Sequence, residues 1–181
     1  MRPDPSSPVV LVLASGRGER FIASGGQGSK LQALLAGKPV LQWTLDAVRA
    51  SGLPFHVEDA GHPGMGDSIA AAVRATRDAG GWLVLPGDLP LVRAETLRAV
   101  AAGLAGRDVV IPTYRGERGH PVGFSARCGD ALAALSGPQG AASVVRAMGA
   151  VEIEVEDEGV VVDVDTVEAL AGAERVRGER G

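Results

Sequence analysis

Val9-Val10-Leu11-Val12-Leu13, followed at once by Ala14-Ser15-Gly16-Arg17-Gly18-Glu19-Arg20, is the stretch on which the fold turns. Five apolar residues in a row predict a strand buried on both faces, the habit of a central strand in a parallel sheet. The small residues after it let backbone N–H groups come close to an anion. Working outward, strand patterns at 55–58, 82–85, 108–113, 121–125 and 159–164, and a run at 151–155 that alternates Val or Ile with Glu and so has one wet face, are interleaved with helical periodicity. Leu41, Leu45 and Val48 mark a helix over 39–50, with Pro39 near its start and Gly52 as its stop. Asp67 is placed to cap a helix carrying Ile69, Ala72 and Val73, and Leu97, Val100, Ala101 and Leu104 mark another. Two short helices, 129–135 and 141–148, and a last one opened by Thr166 complete an α/β reading with a mostly parallel sheet.

The 181 residues suffice for one domain with a sizeable core. With 45% hydrophobic but only 3% aromatic residues, that core must be aliphatic. A net charge of −4 excludes a protein built to coat nucleic acid or anionic membrane. The single cysteine, Cys128, excludes an internal disulfide and suits a reducing cytoplasm. The apolar run 9–14 is too short for a spanning helix. The expected organisation is a flexible lead over 1–8, one domain over 9–174, and a frayed tail over 175–181.

Five short motifs carry candidate chemistry. Leu13-Ala14-Ser15-Gly16 opens a glycine-rich loop flanked by Arg20 and Lys30, a combination suited to a triphosphate, although a merely flexible surface loop has the same composition. Phe21 stands where a dinucleotide fingerprint needs its third glycine, and Gly28-Ser29-Lys30-Leu31 lacks the P-loop order. Pro86-Gly87-Asp88-Leu89-Pro90 ends an apolar strand, so Asp88 is placed either for a divalent cation or for a turn through its own backbone. In Asp163-Val164-Asp165-Thr166, one aspartate is expected to face the crevice and the other away; Asp165 or Thr166 serves equally as a helix cap. Gly64-Met65-Gly66-Asp67-Ser68 enters a helix, whose N-terminus suits a base or phosphate, or is simply a capped start. Arg118-Gly119-His120-Pro121 is a polar loop in which His120 either touches a substrate or is incidental. The three histidines lack metal-ligand spacing, and the acidic run 152–158 reads as a solvated edge.

In this order the motifs resemble those of the MobA-like nucleotidyltransferases, and most closely the molybdenum cofactor cytidylyltransferases. The likeness runs from about Val9 to Leu170. It departs at Ser15 in the first loop, in the long 21–30 segment, in the short 54–64 segment, and at Val167-Glu168, where the family usually has Pro-Glu. It departs also at Gly137-Pro138-Gln139-Gly140-Ala141-Ala142, where the family's Gly-Asp-x-Gly-Ala-Arg pattern loses its Asp and Arg. The resemblance implies a Rossmann-like three-layer αβα fold of the nucleotide-diphospho-sugar transferase type. It implies Mg²⁺-dependent transfer of a nucleoside monophosphate from CTP to a phosphorylated acceptor, Mo-molybdopterin, with release of pyrophosphate and a molybdoenzyme or its chaperone as recipient. Arg20, Lys30 and Asp88 then become the catalytic residues, with Asp88 and Asp165 on the metal. Leu13, Ala14, Ser15, Gly16, Gly66 and Ser68 bind the nucleotide, and His120 the acceptor. A GTP-using guanylyltransferase, a transferase acting on another phosphorylated metabolite, and a nucleotide-binding protein without turnover stay open at this point.

Overall fold

The structure, a computed structural model, describes residues 6–180. Strands β1 (Pro8–Leu13), β4 (Phe55–Glu58) and β5 (Gly81–Pro86) are joined in parallel, with β1 in the middle. Strand β8 (Val122–Ser125) runs antiparallel both to β5 and to β6 (Val109–Tyr114), and β9 (Ala150–Glu154) pairs parallel with β6. The double reversal at β8 leaves β4, β1, β5, β6 and β9 pointing the same way, so the sheet is mostly parallel. A short β7 (Glu117–Arg118) folds back on the end of β6. A separate two-stranded ribbon, β2 (Leu34–Leu35) with β3 (Lys38–Pro39), precedes the second helix.

Alternation along the strands divides the core into two layers. Leu11, Trp82, Val84, Val109, Ile111 and Phe124 face helices α3 (Met65–Ala75), α5 (Gly129–Ala133) and α6 (Ala142–Met148), which contribute Ile69, Ala72, Val73, Leu132 and Val144. Val10, Val12, Leu83, Leu85 and Val110 face α2 (Val40–Ser51) and α4 (Ala94–Gly103), with Val48, Leu97 and Val100. This is the three-layer αβα arrangement, filled mostly by aliphatic side chains, with Trp82 and Phe124 as the aromatic exceptions in one layer; each fully buried side chain is worth roughly 1.5–3 kcal/mol. Gly52 adopts φ +75° and donates to the Arg49 carbonyl, ending α2 where the sequence placed the stop.

Four local expectations are corrected. Residues 159–164 form no strand: Glu158–Val160 is a 3-10 turn, because the Asp157 carboxylate accepts from Gly159 N, Arg93 N and Thr96 Oγ1 and pins the segment beneath the loop after β5. Asp67 does not cap α3; its carboxylate accepts from Gly137 N, and Gly64 stands at the cap position. The tail expected to fray from Arg175 is helical as part of α7 (Val167–Glu179), where Ala173 is buried, Arg177 stacks 3.3 Å from the Trp43 ring centroid and Arg180 donates to the Leu91 carbonyl. The N-terminal lead expected over 1–8 lies, for residues 1–5, outside the described residues, and Pro8 is already part of β1.

Candidate functional site at the carboxyl edge of the sheet

Because β4, β1 and β5 are parallel, their following loops emerge on one edge. Backbone bonds hold these loops together beyond the strands: Ala14 N donates to the Glu58 carbonyl and Gly87 N to the Leu13 carbonyl, each at 2.9 Å. The buried Thr44 hydroxyl of α2 donates to the Gly87 carbonyl at 2.8 Å. A Cβ at Gly87 would lie 2.9 Å from the tip of the Leu41 side chain and 3.0 Å from the Leu13 carbonyl oxygen, so a larger residue in this turn would have to push both aside. The Asp88 carbonyl accepts from Val164 N at 2.9 Å, which draws the 163–165 segment over the same edge.

Charge collects where these segments meet. Lys30 Nζ donates to Asp88 Oδ2 at 2.7 Å and also to Asp165 Oδ1, while Arg20 reaches Asp165 Oδ2 at 3.2 Å from an exposed position. Asp163 completes a trio with Asp88 and Asp165 in which one oxygen from each lies within 4.8 Å of the others. The expectation that one aspartate would face away fails: both carboxylates meet Asp88, and residues two apart in an extended segment share a face in any case. Thr166 does serve as a cap, accepting from Ala169 N at the start of α7. Burial pushes the Asp88 carboxyl above its usual range despite the pull of Lys30. Burial, with Asp88 and Asp165 beside it, raises Asp163 likewise. Asp165 goes the other way: burial opposes it, but the Lys30 bond and the Arg20 charge hold it low. Burial would lower Lys30, and the two carboxylates outweigh that and raise it. Three carboxylates thus face one enclosed ammonium and one exposed guanidinium, an all-oxygen, anion-rich set that fits a hard divalent cation.

The loop after β1 folds back toward this cluster. Gly18, at φ +64°, precedes α1 (Glu19–Ala23) and packs against Lys30, and Gly26 lies so close to the Phe21 ring that a Cβ there would sit 2.3 Å from it. The long 21–30 segment therefore doubles back on Phe21 and delivers Lys30 beside the loop. A cavity of about 330 Å³ opens here, lined by Leu13, Ser15, Gly16, Arg17, Lys30, His62, Gly64, Met65, Ser68 and Asp88, among others. The Ser15 and Ser68 hydroxyls share a 2.9 Å hydrogen bond across its wall. Of the residues expected to bind nucleotide, Leu13, Ser15, Gly16 and Ser68 line the cavity, whereas Ala14 and Gly66 do not. Gly66 N is occupied by the Gly137 carbonyl, and a Cβ on Gly66 would meet the Ser136 and Gln139 carbonyls at 2.8 Å. Gly64 is tighter still: a Cβ would fall 2.2 Å from the Gly137 carbonyl oxygen. Gly64→Ala is therefore expected to destabilise the fold by roughly 1–3 kcal/mol through overpacking against backbone, read as a fall in thermal midpoint.

Residues passed over in the sequence join them. The Glu58 carboxylate, at the end of β4, accepts from Ala60 N and meets His62 Nε2 at 3.1 Å and His56 Nε2 at 3.3 Å. Burial opposes its ionisation, and the two histidines and Ala60 N more than compensate, lowering its pKa. His62 is so fixed on the wall of the cavity; the signal available in the sequence was a glutamate at a strand's carboxyl end with a histidine four residues on. His120 sits instead in a neighbouring cavity, its N–H on the Val160 carbonyl and its ring held neutral-leaning by burial against the opposing pull of Asp163.

Comparison with known proteins bears on this geometry. The profile of the MobA-like NTP transferase domain matches residues 46–153. Rv0371c of Mycobacterium tuberculosis H37Rv superposes with a TM-score of 0.79 at 24% identity, covering 97% of this chain and 100% of its own. The same protein has been solved in complex with manganese, with a TM-score of 0.74, 23% identity, and coverage of 93% and 98%. Molybdopterin-guanine dinucleotide biosynthesis protein A of Archaeoglobus fulgidus gives 0.68 at 23% identity, over 94% and 98%. Among curated proteins, the bifunctional protein GlmU of Geobacter metallireducens is 30% identical over 140 residues, 63% of this chain and 28% of its own length. That of Xanthomonas campestris is 36% identical over 77 residues, 42% and 14%. The chain thus spans less than a third of the curated relatives it matches.

Proposed function

The chain belongs to the MobA-like NTP transferase domain family, and on that premise we propose that it is a cytoplasmic, Mg²⁺-dependent cytidylyltransferase whose acceptor is the phosphate of Mo-molybdopterin. The observation that carries this reading is the Lys30–Asp88–Asp165 cluster, with Asp163, set beside a glycine-rich loop at the carboxyl edge. A phosphate monoester has its second pKa at about 6, so the acceptor arrives ionised and needs no base from the protein. One of its oxygens forms a bond to the α-phosphorus; the bond from that phosphorus to the β-bridging oxygen breaks, and pyrophosphate leaves with that electron pair.

What the protein must supply is alignment and charge. The backbone at 13–16 seats the nucleotide, with Ser15 and Ser68 beside it, while Ala14 and Gly66 act by holding those walls in place. Lys30 and Arg20 offset the charge that grows on the departing pyrophosphate. Asp88 and Asp165, joined by Asp163, would hold Mg²⁺, which when bound draws charge from the phosphate oxygens. The manganese complex of Rv0371c supports metal use. CTP as donor is supported by the sequence resemblance and by a neighbour of the same fold solved with CTP. The guanine in the name of the Archaeoglobus fulgidus neighbour favours GTP as a second reading.

Pyrophosphate release measured with CTP, GTP, ATP and UTP, with and without molybdenum-loaded molybdopterin, tests the assignment. Release is expected only with CTP, that acceptor and Mg²⁺ together. Release with GTP instead would establish guanylyl transfer, and release with no combination would leave a nucleotide-binding protein.

A further inference from the structure

Helix α7 starts at the aspartate trio and ends on the backbone that carries it. Its cap, Thr166, follows Asp165 directly, and its 13 residues take the chain roughly 20 Å further before Arg180 closes it. The Arg180 side chain is only 24% exposed, and its guanidinium forks between two partners. Nη1 donates to the Leu91 carbonyl at 2.8 Å, and Nη2 lies 3.5 Å from Asp157 Oδ1. Leu91 stands three residues after Asp88 in the loop that follows β5, and Asp157 opens the segment that runs on to Asp163 and Asp165. A side chain from outside both stretches of backbone thus bonds to both, and those two stretches supply every carboxylate of the trio.

The two stretches are laid on one another beneath this contact. The buried Asp157 carboxylate accepts from Gly159 N and Arg93 N at 2.9 Å and from Thr96 Oγ1 at 2.7 Å. Gly159 packs so closely that a Cβ there would fall 2.2 Å from the Leu91 carbonyl oxygen, the same oxygen that accepts from Arg180. Further along, the Val160 carbonyl accepts from His120 N and Val164 N donates to the Asp88 carbonyl, each at 2.9 Å. How 157–164 lies on 88–93 therefore sets where Asp163 and Asp165 stand relative to Asp88.

We propose that Arg180 is a positioning residue for the divalent cation: by clasping the Leu91 carbonyl and the Asp157 carboxylate together, it keeps Asp163 and Asp165 at the spacing from Asp88 that a single cation needs. The proposal rests on the reading above in which this trio holds the metal. Carboxylates gathered this closely repel one another, and a small hard cation tolerates little scatter in the oxygens around it. If the 157–165 segment is free to swing outward, only the fraction of molecules with all three oxygens in place can bind, and the apparent affinity falls by that fraction. A planar guanidinium suits the task because its fixed fork meets two acceptors at once, which a lysine ammonium on a flexible stem does less well. Arg180 bonds to none of the three carboxylates, and without it Asp157 keeps its three hydrogen bonds, so the fold survives its loss.

Calorimetric titration with Mn²⁺ tests this on the wild type, Arg180→Met and Arg177→Met. Methionine keeps an unbranched stem and removes the fork. Arg177 serves as the control, since its stack 3.3 Å from the Trp43 ring centroid fastens the same end of α7 to α2 instead. Arg180→Met is expected to weaken Mn²⁺ binding by about fivefold or more, and Arg177→Met to leave it within about twofold although both lower the thermal midpoint. In the pyrophosphate assay Arg180→Met should raise the Mg²⁺ concentration for half-maximal release by the same factor. Its rate at saturating Mg²⁺ should stay within about twofold of wild type, because bound metal then draws the segment in. Unchanged Mn²⁺ affinity in Arg180→Met, or an equal loss in Arg177→Met, overturns the proposal and leaves α7 a structural prop. Absence of Mn²⁺ binding in the wild type would overturn the metal assignment and the proposal with it. The expected Mn²⁺ pattern without any pyrophosphate release would overturn the transfer reading and leave the clasp standing, so the failures are distinguishable.

Discussion

Asp88→Asn is expected to cut pyrophosphate release by on the order of 10²–10³-fold while the protein remains folded. Asparagine keeps the shape of the side chain and an oxygen that accepts from Lys30 Nζ, and the Asp88 backbone carbonyl that holds Val164 N is untouched. What disappears is one unit of negative charge at the centre of the aspartate trio. The sign of the stability change follows from linkage. Burial raises the Asp88 carboxyl, so the folded state favours its neutral form relative to the unfolded chain. That contribution weighs against the fold as pH rises through the unfolded value, and a permanently neutral asparagine removes it. The thermal midpoint at pH 7 should therefore be no lower than in the wild type. Full turnover in Mg²⁺ would show that Asp88 is a turn residue only.

Lys30→Ala should separate two roles of the lysine. Its ammonium is the enclosed cation among three carboxylates, with side-chain exposures of 14% for Lys30, 11% for Asp88 and 24% for Asp165. Removing one partner of a fully buried pair costs about 3–5 kcal/mol, and at this partial exposure the loss should be smaller, about 1–3 kcal/mol. The midpoint should fall without divalent cation and recover when millimolar Mg²⁺ or Mn²⁺ is added, because the vacated carboxylates then take the metal without competition. Activity should remain about 10²–10³-fold down even with metal present, since the charge that met the triphosphate is gone. Melting curves with and without metal, run beside the pyrophosphate assay, read both effects. A midpoint insensitive to metal would mean that the trio is a structural ion pair network.

Much of this architecture was legible before the structure. The strands β1 and β5 announced themselves because burial on both faces leaves no room for polar alternation, and Gly52 marked a helix end through a conformation that glycine adopts cheaply. The direction of β8 was not legible, since Val122-Gly123-Phe124 reads the same whichever way it runs. Val160-Val161-Val162 misled for a related reason: an apolar run buried under a loop looks like one buried in a sheet. At the site, Lys30, Asp88 and Asp165 stood out singly by motif. Their convergence did not, because 58 and 135 residues separate Lys30 from its partners and the contact is made by tertiary folding alone. Asp163 was passed over although, two residues from Asp165, it shares a face with it in any extended segment.

The most direct test of the central claim follows the α-phosphate itself. Incubation with CTP labelled at the α-phosphorus, Mg²⁺ and the phosphorylated acceptor should move the label into a product joined to the acceptor through a new phosphoanhydride, with unlabelled pyrophosphate released in equal amount. Recovery of all the label in unreacted CTP at saturating acceptor and metal, or release of orthophosphate in place of pyrophosphate, would contradict the account.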